Sequence, residues 1–277
     1  MSELAPNHLE IMRVSAKIGE DWEHWNVTEA SVHFWTASDE VELAYHELGE
    51  GRPVVLLHGL FSDARMNWIK FGNAERIASK GFRVIMPDLR AHGLSGKPHE
   101  PDCYPIGILA RDLRELIAHL GLGEFDLGGF SLGARTTVEG VGEGLRPQRA
   151  VLGGAGLEGL RHWERRKHFF LEAIEQFDRV PRGDPHWITV QFMKSQKIDR
   201  IAAGLLLQSF ADTFMDWLAS FSMPTLVVCG SEDHDNGSGE ELAETLPNGS
   251  FREVPGTHMS SITKPEFGEA IAEFLAA

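Results

Sequence analysis

With 277 residues, 42% of them hydrophobic and 24% charged, the chain has the composition of an ordinary globular protein, with material for one large core plus an insertion. Its formal net charge of −15 argues against nucleic-acid and anionic-membrane partners, which require clustered Lys and Arg. Cys103 and Cys229 are the only cysteines, no apolar run is long enough for a secretory signal or a membrane span, and the thirteen histidines lack metal-site spacing. A cytoplasmic protein without disulfide, metal or cofactor is therefore expected, with its oligomeric state open to a homo-oligomer.

Residues 1–30 read as an N-terminal extension, polar apart from Leu9, Ile11, Met12, Ile18, Trp22 and Trp25. Two tryptophans are costly to leave in water, so its second half is expected to dock on the core or on a neighbouring subunit. Ser31–Trp35 and Val41–His46 alternate apolar with polar around Ser38-Asp39-Glu40, which predicts an antiparallel hairpin at a sheet edge. From residue 53 the pattern becomes short continuous apolar runs separated by helical periodicity, the pattern of a parallel sheet covered on both faces. The predicted strands are Val54–Leu57, Phe82–Met86, Phe125–Gly128, Ala150–Gly153, Thr225–Cys229 and Phe251–Val254, with helices near 64–80, 105–120, 132–143, 239–246 and 263–275. The fold class is α/β, a mostly parallel central sheet with helices on both faces.

Residues 157–222 break this rhythm and are rich in bulky side chains. Phe170, Ile174 and Phe177 form one i, i+4, i+7 stripe and Phe210, Phe214 and Trp217 another, so each predicts an amphipathic helix. Arg161, Arg165, Arg166 and Lys167 read as a solvated helix face rather than a carboxylate-binding site.

In open sheets of this kind ligands bind beyond the carboxyl ends of the strands, and those ends are chemically marked. The third predicted strand runs into Gly129-Phe130-Ser131-Leu132-Gly133, a strand–turn–helix in which the glycines spare the clash of strand on helix and Ser131 is held at the tip. The first strand is followed by His58-Gly59-Leu60-Phe61, the second by Asp88-Leu89-Arg90-Ala91-His92-Gly93, the fifth by Gly230-Ser231-Glu232-Asp233, and the last by Pro255-Gly256-Thr257-His258. The order is serine, acid, histidine, all at one edge of the sheet.

With these motifs the chain, from about residue 31 to its end, resembles the α/β-hydrolase superfamily. The resemblance implies that residues 31–156 and 223–277 form the hydrolase core and that 157–222 form a helical cap. It further implies Ser131 as nucleophile, His258 as base, Asp233 as acid, and backbone oxyanion donors at Leu60 (or Phe61) and Leu132. Asp88, Arg90 and His92 belong to a family pattern of structural character, stabilising their loop. Glu232, Asp235 and Glu158 are alternatives for the acid. Asp233 fits the G-x-x-D spacing after a buried strand, whereas Glu158 follows the preceding one.

A serine hydroxyl is a poor nucleophile at neutral pH, so an imidazole must take its proton during attack while a carboxylate fixes the tautomer. Serine in place of a carboxylate at the elbow disfavours dehalogenase and epoxide-hydrolase chemistry and favours acyl transfer. The expected substrate is a small to medium apolar ester, lactone or thioester. Carbon–carbon (diketone) hydrolysis, perhydrolysis and a non-catalytic ligand receptor are the alternatives. Phe61, Trp163, Trp187 and Phe192, with Met193, are candidates for the pocket wall.

Overall fold

The computed structural model describes residues 30–277 apart from residue 162. The extension expected over residues 1–30, with Trp22 and Trp25, thus lies outside the described residues except for Ala30. One sheet contains β1 (Ser31–Thr36), β2 (Glu42–Leu48), β3 (Arg52–Leu57), β4 (Phe82–Pro87), β5 (Asp126–Phe130), β6 (Ala150–Gly153), β7 (Thr225–Gly230) and β8 (Gly249–Val254). Their order is β1-β2-β4-β3-β5-β6-β7-β8, and β3 to β8 are mutually parallel.

The β1–β2 hairpin pairs antiparallel with Trp35 opposite Leu43, and β2 pairs on to β4. Of the hairpin only β1 is an edge strand, opposite β8 at the far edge, since β2 lies inside the sheet between β1 and β4.

The alternation of side chains along a strand explains why the parallel strands are apolar throughout. In β3, Val55 and Leu57 enter one core with residues of α2 (Ile108–His119) and α3 (Leu132–Gly142), while Val54 and Leu56 enter a second. That second core is closed by α1 (Asn73–Ala78) and α10 (Pro265–Ala276) through Ile77, Phe267, Ile271 and Leu275. All four β3 residues are fully buried.

The expected helix at 64–80 is divided. A π-helical turn at Arg65–Ile69 is separated from α1 by Gly72, whose φ of 73° lies in the left-handed region that ends regular helix.

Between β6 and β7 lie α4 (Leu157–Arg161), α5 (Trp163–Glu175), α6 (Trp187–Ser195) and α7 (Arg200–Gln208), followed by a 3-10 turn at Met215–Ser220. Phe170 and Ile174 lie on α5 as expected, whereas Phe177 falls in the turn after it, and all three pack on the core. Phe210, Phe214 and Trp217 do not share a helix. The Asp212 carboxylate accepts the Trp163 N–H at 2.8 Å, and the Thr213 N–H donates to Leu160 O at 3.1 Å. These bonds commit the segment to holding the α4–α5 junction, so it runs extended and leaves Phe214 67% exposed. Among the described residues no helix is long and apolar enough to cross a membrane.

Candidate active site

The strand order reverses between β3 and β5, the place where an open sheet leaves a crevice at its carboxyl edge. Ser131 stands there, directly after β5, with φ 54° and ψ −109°, a conformation rare for a residue with a Cβ. The turn is this tight because nothing separates strand from helix. A Cβ on Gly129 would lie 2.3 Å from the Gly133 carbonyl carbon, and one on Gly133 would lie 2.3 Å from Leu57 O. Both positions therefore require glycine.

Three side chains meet at this turn. His258 Nε2 lies 3.0 Å from Ser131 Oγ, and His258 Nδ1 lies 2.9 Å from Asp233 Oδ2. With Nδ1–H donated to the carboxylate, the Nε2 lone pair faces the hydroxyl and can accept its proton. His258 begins the short helix α9 (His258–Ser261), behind a Thr257–Ser260 capping box. Phe130 stacks on its ring at 5.0 Å between centroids. Asp233 follows β7, its N–H donated to Gly230 O at 3.0 Å, and its side chain is 2% exposed. Of the alternative acids, Glu158 and Asp235 line the neighbouring cavity, but only Asp233 is hydrogen-bonded to the imidazole. Asp233, Asp235 and His258 bring three potential metal-ligand atoms within 4.8 Å of one another. The Asp233–His258 hydrogen bond accounts for two of them, and the Asp235 N–H, donated to Asp233 Oδ1 at 3.3 Å, brings the third close.

Two backbone N–H groups border the serine without an acceptor among the described residues, those of Leu60 and Leu132. Phe61, left open above as a donor, is excluded because its N–H is given to His92 Nε2 at 3.0 Å. His58 Nδ1 and His92 Nδ1 donate to Gly59 O and Arg90 O at 2.8 and 2.9 Å, leaving each Nε2 as an acceptor, for Leu89 N–H in the case of His58. Burial drives both imidazoles towards the neutral form, and with His58 nearby it takes His92 down to about 3. Burial alone would raise the Asp88 carboxyl, but hydrogen bonds from His46, Leu94 and Ala64, with His58 close by, hold it at about 2. Arg90, fully buried, forks onto Asp112 and Asp39. Asp88 and His92 thus hold the loops around Leu60, Arg90 ties its own loop to the β1–β2 turn and to α2, and none of the three lines the cavity.

A cavity of about 1000 Å³ opens over Ser131 and His258. Leu60, Phe61 and Leu132 line its floor and Trp163, Phe170 and Phe192 its roof, with the Phe61 and Phe170 rings edge to face at 5.6 Å. Trp187 is not in the wall. Ile188, Thr189 and Phe192 are the α6 residues that face the cavity, whereas Trp187 lies beside the Arg182 guanidinium at 5.9 Å. Met193 is fully buried in the core. The basic run is not simply a solvated face either, because Arg165 and Arg166 both line the cavity, and Arg166 bonds Asn236 Oδ1 and Asp235 O. Trp163, Arg166 and Phe170, at i, i+3 and i+7, share one face of α5, a spacing that marks all three for the same surface.

A profile of the alpha/beta hydrolase fold family matches residues 52–139. A non-heme haloperoxidase of Rhodococcus erythropolis is 30% identical over 261 residues, an alignment that covers 80% of this chain and 91% of that protein. The chain belongs to the α/β-hydrolase superfamily. A non-heme chloroperoxidase of Kitasatospora aureofaciens is 26% identical to this α/β-hydrolase over 87% of its chain and 98% of the relative. Among solved structures, a malate-bound thermophilic esterase of Thermogutta terrifontis superposes with a TM-score of 0.68 at 27% identity. It covers 89% of this chain and 98% of its own. Membership assigns the protein to a hydrolase family with esterases and haloperoxidases among its relatives.

Proposed function

We propose that this α/β-hydrolase cleaves carboxylic esters, lactones or thioesters through an acyl-enzyme on Ser131. The observation that carries the reading is the hydrogen-bonded line Ser131–His258–Asp233 opening on a largely apolar cavity beside the free N–H groups of Leu60 and Leu132. Ser131 Oγ attacks the carbonyl carbon as His258 Nε2 takes its proton, and Asp233 stabilises the imidazolium. The carbonyl oxygen becomes an oxyanion between the two N–H groups, a donor of this kind contributing about 3–4 kcal/mol to the transition state. His258 then protonates the leaving alkoxide, and water deacylates the serine by the same steps in reverse. The cavity walls select the acyl and alcohol parts. The names of the haloperoxidase relatives favour a second reading on the same triad, in which hydrogen peroxide intercepts the acyl-enzyme and releases a peracid instead of the acid.

Treatment with a fluorophosphonate, followed by intact mass and peptide mapping, tests the nucleophile. The expected result is one adduct, on Ser131, and none in the His258→Ala protein. An adduct elsewhere, or none, would count against the proposal. Peracid formation from a simple ester with added peroxide, compared with hydrolysis in its absence, separates the two readings.

A further inference from the structure

Arg165 and Arg166 are the two described arginines that line the cavity over Ser131, and, like Arg65, Arg149, Arg161 and Arg179 elsewhere, neither has a carboxylate within 4 Å. Arg52, Arg90, Arg111 and Arg135 are each engaged by a carboxylate within 4 Å, as the overall charge of −15 makes easy. Arg165 makes no hydrogen bond or ion pair with any described residue, although it lines the cavity. Arg166 lines it too and is bonded only through Nη1, to the neutral acceptors Asn236 Oδ1 and Asp235 O. Its Nε and Nη2 donate to no described residue. Burial lowers its pKa, and Asp235 and Asp233 work against that shift. Glu158 and Asp235 share the wall, yet neither carboxylate comes within 4 Å of either guanidinium. The Arg166 guanidinium, held through Nη1 with its Nε–Nη2 edge free in the wall of the cavity that contains Ser131, matches the geometry of a carboxylate, and the exposed Arg165 beside it adds a second positive charge. Asn236 is buried and donates to Gly154 O at 2.7 Å, so its grip fixes the Arg166 head on the acid-loop side of the site.

We infer that the cavity recognises esters carrying a second, anionic carboxylate, such as half-esters of dicarboxylic acids, through Arg165 and Arg166. This rests on the ester-hydrolase reading above. The carbonyl to be attacked sits at Ser131, an apolar methylene chain crosses the aromatic wall, and the free carboxylate ends on the guanidinium pair.

The test compares 4-nitrophenyl half-esters of dicarboxylic acids of four to eight carbons with their methyl-capped neutral counterparts and with amine-ended esters of equal length. All rates are corrected for spontaneous hydrolysis. At one chain length kcat/KM for the anionic ester is expected to exceed that of the neutral one by about tenfold or more, with the ratio falling as salt is raised. Arg166→Gln and Arg165→Gln should each lower that ratio, Arg166→Gln by about tenfold. If Arg166 is only a strut, its loss would scale anionic and neutral esters alike. An unmoved ratio in both variants, a ratio below one at every length, or a preference for the amine-ended ester would overturn the inference. In those cases turnover of the neutral esters would leave the ester-hydrolase reading standing. Calorimetric titration with free adipate gives a readout that needs no turnover. Binding weakened by both substitutions is expected, and no binding would count against the site.

Discussion

Ser131 holds a backbone conformation that a glycine would adopt freely, so exchanging it for glycine should make the protein more stable while abolishing any chemistry that depends on its hydroxyl. The proper reference is Ser131→Ala, which also lacks the hydroxyl but keeps the Cβ. Ser131 precedes α3 without a side-chain cap hydrogen bond, so neither variant loses one. A residue in so sparsely populated a region carries about 1–3 kcal/mol of strain. Glycine gives back about 0.4–1 kcal/mol through the greater freedom of the unfolded chain. Ser131→Gly is thus expected to exceed Ser131→Ala by about 0.5–2 kcal/mol, with Tm moving about 2–4 °C per kcal/mol in a domain of this size. Denaturant unfolding and calorimetry of the two variants measure the difference. A glycine variant less stable than the alanine variant would mean that the elbow stores no strain, and the account of its geometry would fail.

Stability should also fall on acidification, for a reason that the two buried histidines supply. The folded pKa of His92 is depressed to about 3 and that of His58 is lowered, so the unfolded chain binds more protons from about pH 6.5 downward. Their contribution is complete above about 6.5 and is lost as pH falls, for His92 down to about 3, by up to about 1.4 kcal/mol per pH unit for each histidine. Equal unfolding free energies at pH 7.5 and 5 would contradict this. Gly133→Ala should cripple folding or activity, since its Cβ would stand 2.3 Å from Leu57 O; a fully active, equally stable variant would show that the elbow can relax. Trp163→Ala and Phe192→Ala should shift the kcat/KM ratio of long over short esters by about tenfold or more, while Trp187→Ala, outside the wall, should not. Equal shifts in all three would show that cavity contact does not set selectivity.

Much of the core was legible because parallel strands covered on both faces leave a coarse signal. Val54–Leu57 and Leu226–Cys229 are apolar at every position, and each is followed by a marked turn. The meeting of Ser131, Asp233 and His258 was legible for the same reason, since residues far apart in sequence share one sheet edge whenever they follow parallel strands. The stretch between β6 and β7 was harder to read, because its helices are set by contacts with distant partners. Phe210, Phe214 and Trp217 carry a helical spacing, but Asp212 and Thr213 are occupied in closing the α4–α5 junction, and no local pattern announces that. The direction of Trp187 depends on the rotation of α6, which a short, apolar segment does not fix. Arg166 was hidden among neighbouring basic residues, and only its register with Trp163 and Phe170 points inward. The work of His92 in excluding Phe61 as a donor depends on one hydrogen bond between loops that the sequence separates by about thirty residues.

The most direct test of the central claim is to trap the acyl-enzyme. The wild-type protein is mixed with 4-nitrophenyl acetate, quenched in acid within the first turnover, and mapped by mass spectrometry. The account predicts an acetyl group on Ser131, formed together with a burst of 4-nitrophenol and absent from Ser131→Ala. Ester turnover with no acyl group on Ser131, or turnover kept by Ser131→Ala at more than about a tenth of the wild-type rate, would contradict it.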